Sequence, residues 1–158
     1  MKKISLSYSK SLRLNNVLKT AVLCENNRDD VGMYIEKIQS YIKTKGAKQI
    51  GPLIQYTKVV RRENESRLEI VLMFQCDKYI HSVEYPYSMT SVIQISNAMY
   101  CRYIGPEDKL KLANSKINLE AFENDIELED YNYTIYVDRN EEDETIVADV
   151  FVPRKEAK

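Results

Sequence analysis

The chain has 158 residues, 44% of them apolar and 30% charged, with a formal net charge of −1. That length and composition suit one globular domain with its own core and exclude disorder, which needs fewer apolar residues and a larger charge imbalance. No run approaches the ~18 apolar residues of a membrane span, and the basic Lys2-Lys3 start lacks the apolar stretch of a signal peptide, so a cytoplasmic protein with no membrane partner is expected.

Leu14 to Cys24 reads as a strand, followed by a polar turn over 25–30 whose Asp or Asn can cap a helix. Val31, Tyr34, Ile35, Ile38, Tyr41 and Ile42 recur at helical spacing, and Gly46 stands where that helix should end. Leu53 to Val60 reads as a strand, Arg61 to Arg67 as a charged connection, and Leu68 to Cys76 as an apolar strand. The order then recurs. Thr90 to Tyr103 is strand-like with an interruption at Ser96-Asn97, and Tyr103-Ile104-Gly105-Pro106 with Glu107-Asp108 reads as a turn and helix cap. Leu110, Ala113, Ile117 and Ala121 mark a second helical stripe. Tyr131 to Asp138 and Ile146 to Val152 read as strands around an acidic turn over 140–144, and Pro153 closes the last of them.

The sequence therefore predicts an α+β fold made of a duplicated strand–helix–strand–strand unit. Its pseudo-repeats cover about 12–78 and 88–154, within one domain over 1–158. An offset of 77 sets Cys24 on Cys101, and an offset of 80 sets Tyr56 on Tyr136 and Glu69 on Asp149. Such a duplication predicts an antiparallel sheet with two helices on one face and a central cleft on the other.

Three motifs in this order resemble the GyrI-like small-molecule-binding domains, the effector-binding domains of multidrug-sensing transcription activators. They are Ile50-Gly51-Pro52-Leu53-Ile54-Gln55-Tyr56, Tyr103-Ile104-Gly105-Pro106 and Asp149-Val150-Phe151-Val152-Pro153, and the likeness runs from about Leu14 to Pro153. The resemblance implies a divergent, freestanding member with a ligand cleft between its halves, lined by aromatics and often holding a glutamate that meets cationic drugs. That glutamate is expected just before Ile135-Tyr136, where this chain has Thr134. A threonine hydroxyl makes only a neutral hydrogen bond, so the departure weakens both a cationic ligand and catalysis by that acid.

Twelve tyrosines against no tryptophan favour stacking and amphipathic contacts. Tyr34 and Tyr41 fall on the helical stripe and read as core. Tyr56 and Tyr136 are the leading ligand candidates, followed by Thr134, Tyr100, Tyr103 and Tyr133. The leading function is thus a non-catalytic protein that takes an apolar or aromatic small molecule.

A second reading comes from charge. Between Glu120 and Asp149 there are twelve acidic residues and one basic one, so this segment carries −11 and the other 128 residues +10. Glu127, Glu129, Asp130, Glu141, Glu142, Asp143 and Glu144 could form a face for a basic protein, as in an immunity protein or antitoxin that neutralises a nuclease-like toxin. A third reading, a hydrolase of reactive small molecules, rests on Glu69 and Asp149 as acids at related positions. No cofactor, metal or nucleic-acid partner is expected. The three cysteines Cys24, Cys76 and Cys101 have no CxxC spacing and read as reduced, partly buried thiols, and His81 is the lone histidine. Cys101 and His81 are the slight candidates for a nucleophile pair.

Overall fold

The computed structural model describes residues 3–22 and 30–155. Within them the elements run β1 (Lys3–Val22), α1 (Asp30–Thr44), β2 (Ile54–Arg62), β3 (Glu65–Gln75) and β4 (Tyr87–Pro106). A short 3-10 turn follows at Glu107–Lys109, then α2 (Lys111–Glu123), β5 (Tyr131–Asn140) and β6 (Thr145–Pro153). The chain is α+β, with antiparallel ladders and the strand–helix–strand–strand order found twice. The proposed counterpart of Cys101, Cys24, and the polar turn after it lie outside the described residues.

Two compact units result, Arg13–Gln94 and Met1–Leu12 with Ile95–Lys158. The boundaries fall inside β1 and β4, so the first twelve residues belong with the second half of the chain. In the 13–94 unit β3 lies between β1 and β2, and in the other β6 lies between β4 and β5. Each helix covers one face of its own three strands. Ile38 and Ile42 of α1 pack with Leu18, Phe74, Cys76 and Ile80. Ala113, Ile117 and Ala121 of α2 pack with Met99, Cys101, Tyr103, Ile146, Ala148, Val150 and Val152. Both apolar stripes read from helical spacing are therefore the stripes that are buried.

The helices end in the same way. Gly46 adopts φ 72, its N–H donates to the Lys43 carbonyl at 3.0 Å, and the Ala47 N–H reaches back to the Ile42 carbonyl at 3.1 Å. This is a Schellman ending, which satisfies the last carbonyls and sets Ala47 against the core beside Ile42. At the end of α2 the Ile126 N–H bonds the Ala121 carbonyl at 2.8 Å, and Asp125 takes the left-handed position with φ 55. Each chain then returns to its sheet through an isolated bridge, Gln49 to Cys76 and Leu128 to Arg154.

Several boundaries differ from the sequence reading. β1 starts at Lys3 rather than Leu14, because Ile4, Leu6 and Tyr8 alternate with Ser5, Ser7 and Ser9 in the period of a strand. β4 runs unbroken through Ser96-Asn97, and both polar residues are used there. Ser9 Oγ donates to Asn97 Oδ1 at 2.7 Å, and Ser11 Oγ donates to the Ser96 carbonyl at 3.2 Å. Residues 103–106 finish that strand instead of turning. Glu107 does not cap α2, whose N-cap is Leu110 without a side-chain bond. It pairs instead with Arg139 at 2.7 Å. The connection drawn over Arg61 to Arg67 is a tight turn at Glu63 and Asn64, with the flanking charges inside strands.

Because Asp125 is exposed and holds a conformation that glycine adopts without strain, Asp125→Gly should stabilise the fold by about 0.5–1 kcal/mol. Gly46→Ala should cost a similar amount, both read as shifts of the urea midpoint at unchanged slope.

Candidate functional site

The candidate site lies on the face of β4, β6 and β5 turned away from α2. Along β6, Ala148, Val150 and Val152 pack with the helix, so strand alternation turns Asp149 and Phe151 to the opposite side. Register then builds two cross-strand rows. Phe151 lies between Tyr100 of β4 and Tyr133 of β5, and Asp149 lies between Arg102 of β4 and Ile135 of β5. The Tyr100 and Phe151 ring centroids are 4.9 Å apart at 45°, and Tyr131 meets Tyr133 edge-on at 6.2 Å. Lys10, from the start of the chain, holds its ammonium 4.1 Å from the centre of the Tyr100 ring.

Asp149 is the chemical centre of this face. Its Oδ1 accepts from the Tyr100 hydroxyl at 2.7 Å and from Arg102 Nε at 2.8 Å, while Oδ2 accepts from Arg102 Nη2 at 2.9 Å. The Asp149 side chain is only 13% exposed, whereas that of Arg102 is 44% exposed. Burial pushes the carboxyl upward, but the hydrogen bonds from Arg102 and Tyr100 and the charges of Arg102 and Lys10 outweigh it, leaving the pKa below its ordinary value. Burial, with the bond to Asp149, pushes the Tyr100 hydroxyl up to about 12. The bond to Asp149 raises Arg102 further still. At neutral pH the site is a fixed carboxylate, a fixed guanidinium and a neutral phenol.

The residues singled out in the sequence do not all meet here. Tyr100 and Tyr133 do. Tyr103 is fully buried in the core beneath α2, its hydroxyl donating to the Pro106 carbonyl at 2.5 Å. Tyr136 packs against the same core opposite Ala148, and Thr134 is buried opposite Val150. Thr134 therefore lies on the helix side of the sheet, away from the aromatic row. Tyr56 sits in the other unit, opposite Val71 and turned away from α1. The pairing of Tyr56 with Tyr136 does not survive the register. Phe151 follows Val71 by the same 80 positions that separate Asp149 from Glu69, and its partner across the hairpin is Tyr133. The second hairpin has a turn two residues longer and a β-bulge between Tyr136 and Asp138, which together displace β5 by three residues relative to a simple numerical offset.

Lys10, Arg102 and Phe151 were missed. Tyr100 and Arg102, like Asp149 and Phe151, are two apart in a strand, so their shared faces were readable, but the register joining the two strands was not. On the equivalent face of the 13–94 unit the corresponding row is Ala21, Val71 and Tyr56, and Ile54, Met73 and Val17 are buried on the same face.

The acidic residues fall into two groups rather than one. Glu127, Glu129 and Asp130 precede β5, where the Lys155 N–H meets the Glu127 carbonyl. Glu141, Glu142, Asp143 and Glu144 form the exposed turn after it. The ten residues of β5 set these groups roughly 30 Å apart. Glu69, the other acid of the hydrolase reading, is exposed in β3 opposite Lys58. Cys101 lies in the α2 core, where burial pushes its thiol up to about 11 and away from nucleophilic use. Cys76 is likewise a buried free thiol, and His81 is exposed against the edge of Tyr79. Among the described residues no three acidic, histidine or cysteine side chains group to hold a metal, and no helix is long and apolar enough to cross a membrane.

No family model and no curated protein matches this sequence. Solved structures match its fold. The crystal structure of the EcmrR C-terminal domain is 13% identical, with 99% of each chain covered and a TM-score of 0.72. EcmrR in its complex with DNA is again 13% identical at a TM-score of 0.69, over 99% of this chain and 58% of that one. The chain thus spans little more than half the length of that protein. SAV2435 bound to tetraphenylphosphonium is 9% identical over 93% of each chain, and its TM-score of 0.48 is too low to carry an argument. The chain has the GyrI-like fold that its motifs resemble, and at these identities the likeness is one of fold alone.

A carboxyl whose pKa is lowered on folding contributes stability that is present above its unfolded value near 4 and is lost as pH falls through the folded value. Asp149→Asn should therefore cost about 1–2 kcal/mol at pH 7, the half-exposed Arg102 limiting the loss. Urea melts of both proteins should converge as pH falls through the folded value of Asp149, which lies below its ordinary value.

Proposed function

We propose that this chain is a non-catalytic binding protein that takes an apolar or aromatic small molecule against the face of β4, β6 and β5 turned away from α2. The observation that carries this reading is the contiguous row of Tyr100, Phe151 and Tyr133, held beside an ionised, hydrogen-bonded Asp149. Tyr100, Tyr133 and Phe151 are 9%, 8% and 5% exposed, so a planar ligand would reach the row through the little of it left open, and the Asp149 bonds to Tyr100 and Arg102 fix that row before any ligand arrives, which lowers the ordering cost of binding. The GyrI-like fold adds support, since the sequence resemblance implies a ligand-binding domain.

Catalysis finds no support in the same groups. A general acid or base at neutral pH needs a pKa near 7, whereas Asp149 is lowered, Tyr100 stands at about 12 and Cys101 at about 11. The acidic residues form two groups at the two ends of β5, so a basic partner would have to span roughly 30 Å to meet both.

A panel of planar aromatic compounds screened by thermal unfolding should contain at least one that raises the melting temperature by about 5–10 °C at a hundredfold excess over Kd. Phe151→Leu and Tyr133→Leu, which stay apolar, should each weaken that compound about tenfold while the unliganded variants still unfold cooperatively. A panel without a single stabilising compound, or variants that bind as tightly as the native chain, would contradict the proposal.

A further inference from the structure

We propose that the outward face of α2 joins a second copy of this chain, the two helices packing antiparallel about a twofold axis near Ile117. The surface is separate from the face of β4, β6 and β5, and the proposal does not depend on the ligand reading.

α2 carries apolar residues on two sides. Ala113, Ile117 and Ala121 are buried against the sheet. On the side away from them, Leu112, Ser115, Leu119 and Phe122 follow at steps of three, four and three, the spacing by which one helix packs along another. Leu119 is 56% exposed and Phe122 82%. Exposed apolar residues scattered singly are ordinary, but these two are a turn apart, and the small Ser115 on the same stripe leaves room for a ring. α1 differs. Its outward positions include Glu36, Lys37, Ser40 and Lys43, with Met33 its one exposed large apolar side chain among the described residues.

The charges around the stripe point to its occupant. Lys109 and Lys111 stand at the amino end of α2 and Lys116 at its middle, while Glu120, Glu123 and Asp125 stand toward its carboxyl end. Beyond the two ends lie Asp108, which leaves the amino end still net positive, and Glu127, which adds to the acidic one. Glu107 is paired with Arg139, and Glu120 accepts from the Tyr8 hydroxyl at 2.6 Å. Among the described residues no ion pair engages Lys109, Lys111, Lys116, Glu123 or Asp125.

This distribution opposes the dipole of the helix, which favours acids in the first turn and bases in the last; α2 has neither. A second α2 running the other way relieves the conflict. Each basic start then lies beside an acidic end, Leu112 faces the partner's Phe122, and Ser115 faces the partner's Leu119. The same patch serves both copies, as a twofold interface requires. Parallel packing would set like charges together at both ends. With 13 residues, α2 is about 20 Å long, so one such helix pair falls at the small end of interface sizes and gives a weak, concentration-dependent dimer.

Sedimentation equilibrium of the full chain at low salt, from about 5 to about 500 µM, should show passage from monomer toward dimer. Phe122→Ser should stay monomeric throughout, and because this side chain is exposed the urea midpoint of the dilute protein should not move. Lys111→Glu and Glu123→Lys should each weaken association about tenfold. Each also aligns a charge with the helix dipole, so the urea midpoint of the dilute chain should hold or rise while association falls. Combining the two reversals in one chain should recover most of the lost affinity. A native chain that is monomeric at the highest concentration overturns the proposal, as does a dimer that Phe122→Ser leaves intact. A dimer that neither charge reversal weakens, or that the combined reversal does not restore, is not held by antiparallel α2 helices, and the proposal fails there too.

Discussion

In the middle strand of the 95–158 unit, a carboxylate is placed where its neighbours along the strand are an alanine and a valine and its neighbours across it are a tyrosine, an arginine and an isoleucine. Withdrawing that charge from water carries a large penalty unless hydrogen bonds replace the lost solvation. The bidentate guanidinium of Arg102 and the hydroxyl of Tyr100 supply them, and in doing so fix two side chains of β4 against β6. The aromatic row depends on this arrangement. Tyr100 cannot rotate away from Phe151 without releasing Asp149, and Lys10 takes its position from the Tyr100 ring. Packing and electrostatics on this face thus follow from how one buried charge is solvated.

The two units use the same construction for different ends. Each has a helix over one face of three antiparallel strands, a left-handed residue closing the helix, and a short bridge returning the chain to the sheet. These are backbone requirements, and different residues meet them, Gly46 in one unit and Asp125 in the other. The faces away from the helices have diverged. In the 13–94 unit Val17, Ile54 and Met73 occupy that face. By register, Ala21, Val71 and Tyr56 stand there where the other unit has Tyr100, Phe151 and Tyr133.

Much of the fold was legible because its signals are local. The stripes of α1 and α2 declare themselves by period, Gly46 by its place after a stripe, and the last two strands by the acidic turn between them. The long reach of β1 was also present in the alternation of Ile4, Leu6 and Tyr8 with serines, although the strand was expected only from Leu14. What was not legible is what depends on register. Tyr103, Tyr136 and Thr134 looked equivalent to Tyr100 and Tyr133 in a tyrosine-rich sequence, yet a shift of one residue moves a side chain to the other face of a sheet. The four-residue turn of the second hairpin against two in the first, with the β-bulge between Tyr136 and Asp138, breaks the numerical match of Tyr56 with Tyr136 and moves Tyr136 to the other face. Lys10 escaped notice because its partner is 90 residues away and recognises it through a ring face rather than an opposite charge.

The most direct test of the account is an NMR titration with a planar aromatic compound that stabilises the chain, using protein that carries ring-labelled tyrosine, the twelve signals assigned by single Tyr→Phe substitutions. The account predicts that the resonances of Tyr100 and Tyr133 move together along one binding curve, while those of Tyr79, Tyr85 and Tyr103 stay in place. Saturable binding that moves other tyrosines and leaves Tyr100 and Tyr133 unchanged would contradict it.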